Sequence, residues 1–419
     1  MIESQPSCTD IFESGLMPCS DALQRIKARL PYISGYERIP LQNACGRTLH
    51  EPVISPINVP PHINSAVDGY AFYAEDIPNS DTAELNVIGQ ALAGKPFRGS
   101  IQKGACVRIM TGAELPAGLD VVAMQEHVRV YENRIEIDNR HKRGQNIRLA
   151  GEDLKCGETV LQPGKWLTPA DIGLMASLGI TEINVNRKLK VAIASTGDEL
   201  CEPGDLTSPG GIYDSNRYSL IAALTRPDIE IINLGIISDN AEKLLDCFNQ
   251  AGRFADMILS TGGVSVGEAD FTKSVLQHSG QVEFWKVAIK PGRPLAFGQI
   301  DKAAFFGLPG NPVAVLVTFY YFVLPAIEQM LGISGKPVAP TLKARVSENL
   351  RKKPGRTEIQ RGILSRDEKG DWRVDTTGKQ GSGILRSMSL ANAFIVLDHD
   401  TGNVKTGEWV TVQPFAGFL

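Results

Sequence analysis

The sequence predicts a multidomain α/β protein, and three observations carry that expectation. The chain has 419 residues, long for a single core, so two to four domains are expected. From Leu189 onward, apolar runs of strand length alternate with helical patterns, which is the mark of βαβ units and a parallel sheet. Beyond a Gly-Pro stretch at residues 335–340 the tail reads as short strands to Leu419, a small all-β domain.

Taken in order, the stretch to Pro18 shows no regular pattern. Ser20 and Asp21 can cap a helix running to Leu30, with Ala22, Ile26 and Leu30 at helical spacing. Pro52, Pro56, Pro60 and Pro61 exclude a regular helix and favour an extended arm. The string NSAVDGYAFYAEDI, residues 64–77, predicts a turn at Asp68-Gly69 and then a strand. A turn aspartate bonded to its own backbone is one reading of Asp68. Residues 88–137 read as short strands and turns, a β-rich lobe. Thr111 and Gly112 lie there between two apolar runs. Helix signals return at residues 168–178, so the lobe is inserted in a more helical frame. In residues 141–161, Lys142, Arg143 and Arg148 lie close to Glu152 and Asp153. A salt-bridged surface loop fits this string. So does a ligand loop using Arg for an oxyanion and Asp for a metal.

The α/β region predicts strands at 189–196, 229–234, 257–260 and 303–306, with helices at 215–224, 241–251, 270–277 and 313–331. Ligands of open parallel sheets gather beyond the carboxyl ends of the strands. Asp198 and Glu199, Ser238 and Asp239, residues 261–270, and Pro309-Gly310-Asn311-Pro312 all stand at such ends. The densest is MILSTGGVSVGEADFTK, residues 257–273. Gly262, Gly263 and Gly267 permit close backbone approach, and a helix start offers free N–H groups to an anion. Glu268 and Asp270 would repel a bare phosphate unless a cation such as Mg²⁺ sits between. A tight turn with a charged helix start would give the same string. Lys286, Lys290 and Arg293 add positive charge near this rim, either as a solvated basic edge or as a clamp on an anionic substrate. In the tail, strands are expected at 342–346, 357–364, 372–376, 393–397 and 409–412, and residues 381–385, GSGIL, form its most ligand-like turn.

Composition narrows the class. A net charge of -4 argues against a generally nucleic-acid-binding surface. The seven cysteines are dispersed without a CxxC pair, as expected of reduced thiols and not of a disulfide frame or zinc site. No signal-peptide pattern opens the chain. The longest apolar run, residues 313–324, is shorter than a membrane span and carries polar residues. A cytoplasmic protein is expected.

Eight strings in sequence order bring the parts together: PPHINSAVDGYA, RIMTGAELPAGLDVVAMQE, GQNIRLAGEDLKCG, STGDEL, STGGVSVGEADFTK, KPGRPLAFG, GLPGNPVA and QGSGILRSMSLANAFIVL. In combination the chain resembles the molybdopterin molybdenumtransferases, the MoeA or molybdenum insertase family, which includes the E domain of gephyrin. The resemblance implies an elongated N-terminal region at 1–188 with a β-rich lobe inserted at about 52–150. It implies a three-layer molybdopterin-binding α/β domain with a mostly parallel sheet at 189–334, and a small C-terminal β domain at 338–419. It implies a homodimer with a shared active cleft, and dealings with other molybdenum cofactor biosynthesis proteins and apo-molybdoenzymes. The implied reaction joins molybdate to the dithiolene of molybdopterin, starting from adenylyl-molybdopterin and releasing AMP, with Mg²⁺.

The same resemblance assigns residues. Asp239, Asp270 and Glu199 are the metal-holding acids, with Asp68 and Asp153 as further carboxylates of the cleft. Arg148, Lys286, Lys290, Arg361 and Ser382 match positions near anions. Gly262, Gly263 and Ser265 suit the pterin phosphate, and Thr111, Pro309 and Pro312 line the cleft. Departures occur at His62-Ile63, where the family has Phe-Asp, at Val67 for Met, and at Arg293 for Lys, which keeps the charge but changes its reach. The loss of an acid at Ile63 puts any contact made there in doubt. Two other functions remain open at this point: a molybdopterin adenylyltransferase of the gephyrin G type, and a non-catalytic gephyrin-like scaffold.

Overall fold

The computed structural model describes residues 16–262, 280–335 and 340–415. The helix expected at 270–277 lies outside the described residues, as do Gly263, Ser265, Gly267, Glu268 and Asp270. The chain divides into two compact units, one of Met1–His50, Gly164–Pro169 and Glu182–Leu419, the other of Glu51–Pro163 and Ala170–Thr181.

The larger unit is built on six strands: β1 (Leu189–Thr196), β2 (Ile229–Ile237), β3 (Met257–Thr261), β4 (Gly280–Lys286), β5 (Pro294–Ile300) and β6 (Ala303–Leu308). Their order is β2-β1-β3-β6-β5-β4. The first four run parallel, and β5 and β4 continue antiparallel at one edge. The two edge strands fall in the stretch that the sequence reading treated as a basic rim.

Side chains alternate along a strand, and here both faces are covered. Leu189, Val191, Ile193, Met257, Leu259, Phe306 and Leu308 join one core. Ala192, Ala194, Ile258, Ala303 and Phe305 join another. Burial on both faces explains why these strands read as continuous apolar runs. Helices α1 (Cys19–Arg29), α2 (Ser215–Leu224) and α4 (Pro312–Met330) pack on the first face through Ile26, Leu220, Phe319 and Ile327, and α3 (Ala241–Phe254) on the second through Leu244, Phe248 and Ala251. This makes three layers.

Two expectations change. The first helix starts at Cys19 with Pro18 in the cap position, so Ser20 and Asp21 sit inside its first turn, where the Ser20 hydroxyl donates to Asp21 at 3.0 Å. Asp21 therefore favours the helix start by charge. Helix α4 is long and apolar enough, at 19 residues and hydropathy 1.6, to meet the length and composition of a membrane span. The apolar run read from the sequence, residues 313–324, ends just before Pro325, and the helix continues past it to Met330. In the fold, Val313, Val317, Phe322 and Ile327 are buried against the sheet. A π-helical turn at Phe319–Val323 precedes Pro325, whose missing N–H interrupts the regular ladder.

The tail forms a closed β structure within the same unit. Leu342–Val346, Thr357–Arg366, Trp372–Thr376, Ala393–Leu397 and Trp409–Pro414 pair in a ring, closed by Thr357–Arg366 against Ala393–Leu397. Closure removes exposed strand edges. The short strand Ile289–Lys290 pairs parallel with Thr357 and Glu358, tying the α/β sheet to the ring. A helix at Arg386–Leu390 was not read from the sequence.

The smaller unit holds a six-stranded sheet in the order Val121–Met124, Gly69–Phe72, Ala105–Ile109, Thr82–Ala91, Arg134–Asp138, Arg129–Tyr131. Tyr70, Phe72, Leu85, Cys106, Val121 and Ile135 fill one core and Ala71, Val107, Ile109 and Val122 the other. The Pro-rich arm is extended as expected: Val53–Ile54 pairs with Thr159–Leu161.

Candidate functional site

Parallel pairing brings the carboxyl ends of β1, β2, β3 and β6 to one edge. The ends of β1 and β3 are fastened there by the Ser195 and Thr261 hydroxyls, 3.2 Å apart, and by Thr196 Oγ1 donating to the Thr261 carbonyl. A cavity of about 320 Å³ opens at this edge, lined by Thr196, Glu199, Thr261, Gly262, Gly310 and Pro312, by Tyr213 to Asn216, and by Gly383 and Leu385. Three of its walls coincide with strand ends singled out in the sequence.

Gly262 has φ +86°, and a Cβ there would stand 2.3 Å from the Thr196 carbonyl oxygen. A Cβ on Gly310 would lie 3.9 Å from the Gly262 Cα. The floor is therefore bare backbone, open to close approach by a ligand. Gly262→Ala is expected to cost about 1–2 kcal/mol from the backbone conformation alone. The displaced Thr196 peptide should also weaken ligand binding, measurable by titration calorimetry beside a melting curve.

Glu199 folds back over Gly197, where a Cβ would meet Glu199 Oε2 at 2.6 Å. On the neighbouring strand end, the Asp239 N–H donates to Asp198 Oδ1 at 3.0 Å. Glu199 and Asp239 thus lie on loops held together at one sheet edge. Asp270, the third expected acid, lies outside the described residues.

Sequence reading missed the Tyr213-Asp214-Ser215-Asn216 wall, using Ser215 only as a helix start. Asp214 caps α2 by accepting from the Arg217 N–H at 3.1 Å. The available signal was an Asp-Ser-Asn string between an apolar strand and a helix. Arg217 is 2% exposed and donates to Asp214 at 2.9 Å, Asn233 at 2.8 Å and Glu202 at 2.5 Å. It anchors this wall to β2 and to the loop after β1.

The C-terminal ring supplies the last wall. The Val313 N–H donates to the Ser382 carbonyl at 3.0 Å, which seats residues 381–385 on the start of α4. Arg361, 1% exposed, holds that turn by donating from Nε to Ser387 Oγ at 3.0 Å and from Nη2 to the Gly381 carbonyl at 3.2 Å. Burial pushes its pKa down to about 10, so it stays cationic at neutral pH. Lys290 is half-exposed with Nζ 3.5 Å from Glu358 Oε2; it belongs to the junction between sheet and ring. Lys286 ends β4 and is exposed. Pro309 is buried directly after β6.

The lobe has its own polar cluster. Asp68 accepts from both the backbone N–H and the hydroxyl of Thr111, each at 2.7 Å, and not from its own turn. These bonds, the backbone one first, hold its carboxyl below the usual range. Ser65 joins this point to Arg148: its carbonyl accepts from Gly112, and Asn64–Ser65 pairs with Ile147–Arg148. Arg148 and Asp153 are exposed. The salt bridges of this stretch differ from the sequence pairing. Arg143 reaches Glu75 and Asp120, both at 2.8 Å, while Glu152 accepts from the Leu149 N–H. Ile63, the departing position, is exposed beside a groove with Phe97, Arg98 and Glu114.

Comparison with known proteins agrees along the chain. Residues 17–179 match the family described as MoeA N-terminal region (domain I and II), 192–329 the probable molybdopterin binding domain, and 343–415 the MoeA C-terminal region (domain IV). The chain is 45% identical over 405 residues to a molybdopterin molybdenumtransferase of Haemophilus influenzae, covering 96% of this chain and 100% of that one. It is 35% identical to that of Nostoc sp., covering 90% and 88%. The crystal structure of a molybdopterin biosynthesis moeA protein from Pyrococcus horikoshii OT3 superposes with TM-score 0.82 at 31% identity, covering 96% of this chain and 100% of that chain. Matched from its N-terminal region through its C-terminal ring, the chain belongs to the MoeA family of molybdopterin molybdenumtransferases.

Proposed function

We propose that this protein acts in molybdenum cofactor biosynthesis by joining molybdate to the dithiolene of adenylyl-molybdopterin, with release of AMP. The carrying observation is the cavity at the carboxyl edge of the parallel sheet, with its bare glycine floor and the starts of α2 and α4 in its walls. Helix starts favour phosphate groups. In this reading Gly262, with Gly263 and Ser265, receives the pterin phosphate, and Pro309 and Pro312 shape the adjoining wall. Arg361, Lys286, Lys290, Arg148 and Ser382 hold molybdate, a dianion that cations and hydroxyls suit.

The acids suit Mg²⁺, which takes one or two carboxylates plus substrate phosphates. Glu199 and Asp239 offer hard oxygens on adjoining loops, and Asp270 completes the proposed set. Among the described residues no group of three His, Cys, Asp or Glu side chains could hold a metal unaided. When bound, the ion neutralises charge on the phosphate oxygens. Asp68, Thr111 and Asp153 of the lobe are proposed as further cleft residues, in a homodimer whose cleft both subunits build. Domain limits at 1–188, 189–334 and 338–419, a cytoplasmic location, and transfer to apo-molybdoenzymes belong to the same proposal.

Purified protein given adenylyl-molybdopterin, Mg²⁺ and molybdate should release AMP and activate an apo-molybdoenzyme; no AMP release would remove the proposal. Asp68→Ala should lower that rate with only a small drop in the melting midpoint, since Asp68 is partly exposed and its loss removes the two Thr111 bonds. The bonds from Thr111 depress the Asp68 pKa. Their contribution is present above pH about 3.8, the unfolded value, and is lost as pH falls through the lower folded value. The wild-type lobe should therefore hold this contact throughout the neutral range.

A further inference from the structure

Asn216 stands in the cavity wall one residue before the buried Arg217. Its Nδ2 donates to the Gly310 carbonyl at 2.8 Å, crossing from the first turn of α2 to the loop that opens α4. Its Oδ1 is sealed from solvent and has no hydrogen-bond partner among the described residues. Among the described residues Nδ2 has the Gly310 carbonyl as acceptor and Oδ1 has no donor, which sets the orientation of the amide. What it secures is the direction of one carbonyl. Gly310 faces Gly262 across the floor with no side chain between them. A loose Gly310 peptide can turn its oxygen, a partial negative charge, toward whatever occupies the floor.

We propose that Asn216 is a positioning residue for the anionic group of the ligand: by taking up the Gly310 carbonyl it keeps that oxygen turned from the bound phosphate. This deepens the reading given under Proposed function and rests on it. The neighbouring contacts support a fixed geometry. Arg217 is locked by Asp214, Asn233 and Glu202, so the Asn216 backbone cannot follow a wandering loop. The Val313–Ser382 bond fixes the far side of the same loop and leaves the Gly310 peptide as the part that Asn216 controls.

Three variants and two readouts test this. Asn216→Ala removes the donor and should weaken molybdopterin binding by roughly three- to tenfold, with kcat changing less than KM. Asn216→Asp sets a carboxylate against a carbonyl oxygen and should weaken binding more at pH 7.5. Asn216→Gln should recover part of the loss. Equal binding by Asn216→Asp and wild type at pH 7.5 would overturn the proposal. Hydrogen exchange without ligand keeps the two readings separable. Amides of residues 310–316 should exchange faster in Asn216→Ala, and unchanged exchange overturns the role of Asn216 even if AMP release is normal. Absence of molybdopterin binding by the wild type, with faster exchange in the variant, would instead remove the functional reading and keep the loop contact.

Discussion

Arg217→Met should destabilise the α/β unit by about 3–5 kcal/mol, the usual result of removing one partner from a buried ion pair. On the scale of a 150–250-residue domain this lowers the melting midpoint by roughly 6–20 °C. The size follows from what is left behind. Asp214 is 1% exposed, and its carboxylate would stay buried with the helix cap bond as its remaining partner. Asn233 would lose a donor as well, while Glu202, 41% exposed, can turn to water. Methionine keeps most of the volume, so the loss reports charge and hydrogen bonding and not a cavity. Substituting Asp214 to Asn in the same chain should recover part of the stability, because the stranded charge is gone. A midpoint within 2 °C of wild type would contradict this description of the wall.

Arg361→Met should reduce molybdate-dependent AMP release by about 100-fold or more, on the scale seen when one preorganised donor is lost from a reacting site. Two effects combine. Among the described residues no carboxylate is bonded to the buried guanidinium, whose bonds run to Ser387 and to the Gly381 carbonyl. In the proposed role this buried cation acts through its field at the turn that borders the cavity, and not by lining the cavity itself. The same bonds shape residues 381–385, from which Gly383 and Leu385 reach the cavity. Arg361→Lys keeps charge but cannot span both acceptors, so it should recover molybdate affinity only in part. If molybdate raised to saturation restored the Arg361→Met rate completely, the residue would serve binding alone.

The parallel strands were legible because burial on both faces leaves an unmistakable apolar run, as at Val191 to Ala194 and Met257 to Leu259. Helix α2 was legible with the bounds it has, Ser215–Leu224, although its cap Asp214 was not read. The antiparallel edge β4 and β5 was not: Lys286, Lys290 and Arg293 read as a basic rim around Gly292, and only tertiary pairing makes the flanking runs strands. The Arg386–Leu390 helix is too short to show a period. At the site, residues standing at strand ends were readable from the rule that ligands gather there. Tyr213 to Asn216 were not, since their place in the wall depends on how the loop after β1 returns. Lys290 shows the opposite limit. Its charge was visible in the sequence, but its pairing with Glu358 depends on a ring formed some sixty-eight residues later, 358 against 290.

The sheet-edge cavity is proposed to receive a charged pterin nucleotide. A crystal structure of the protein soaked with molybdopterin nucleotide and molybdate measures this most directly. The pterin phosphate is expected against Gly262 and the loop at Gly310, with the oxyanion on the Arg361 and Ser382 side. Well-ordered ligand bound elsewhere, with the space between Thr196, Thr261 and Asn216 filled only by water, would contradict it.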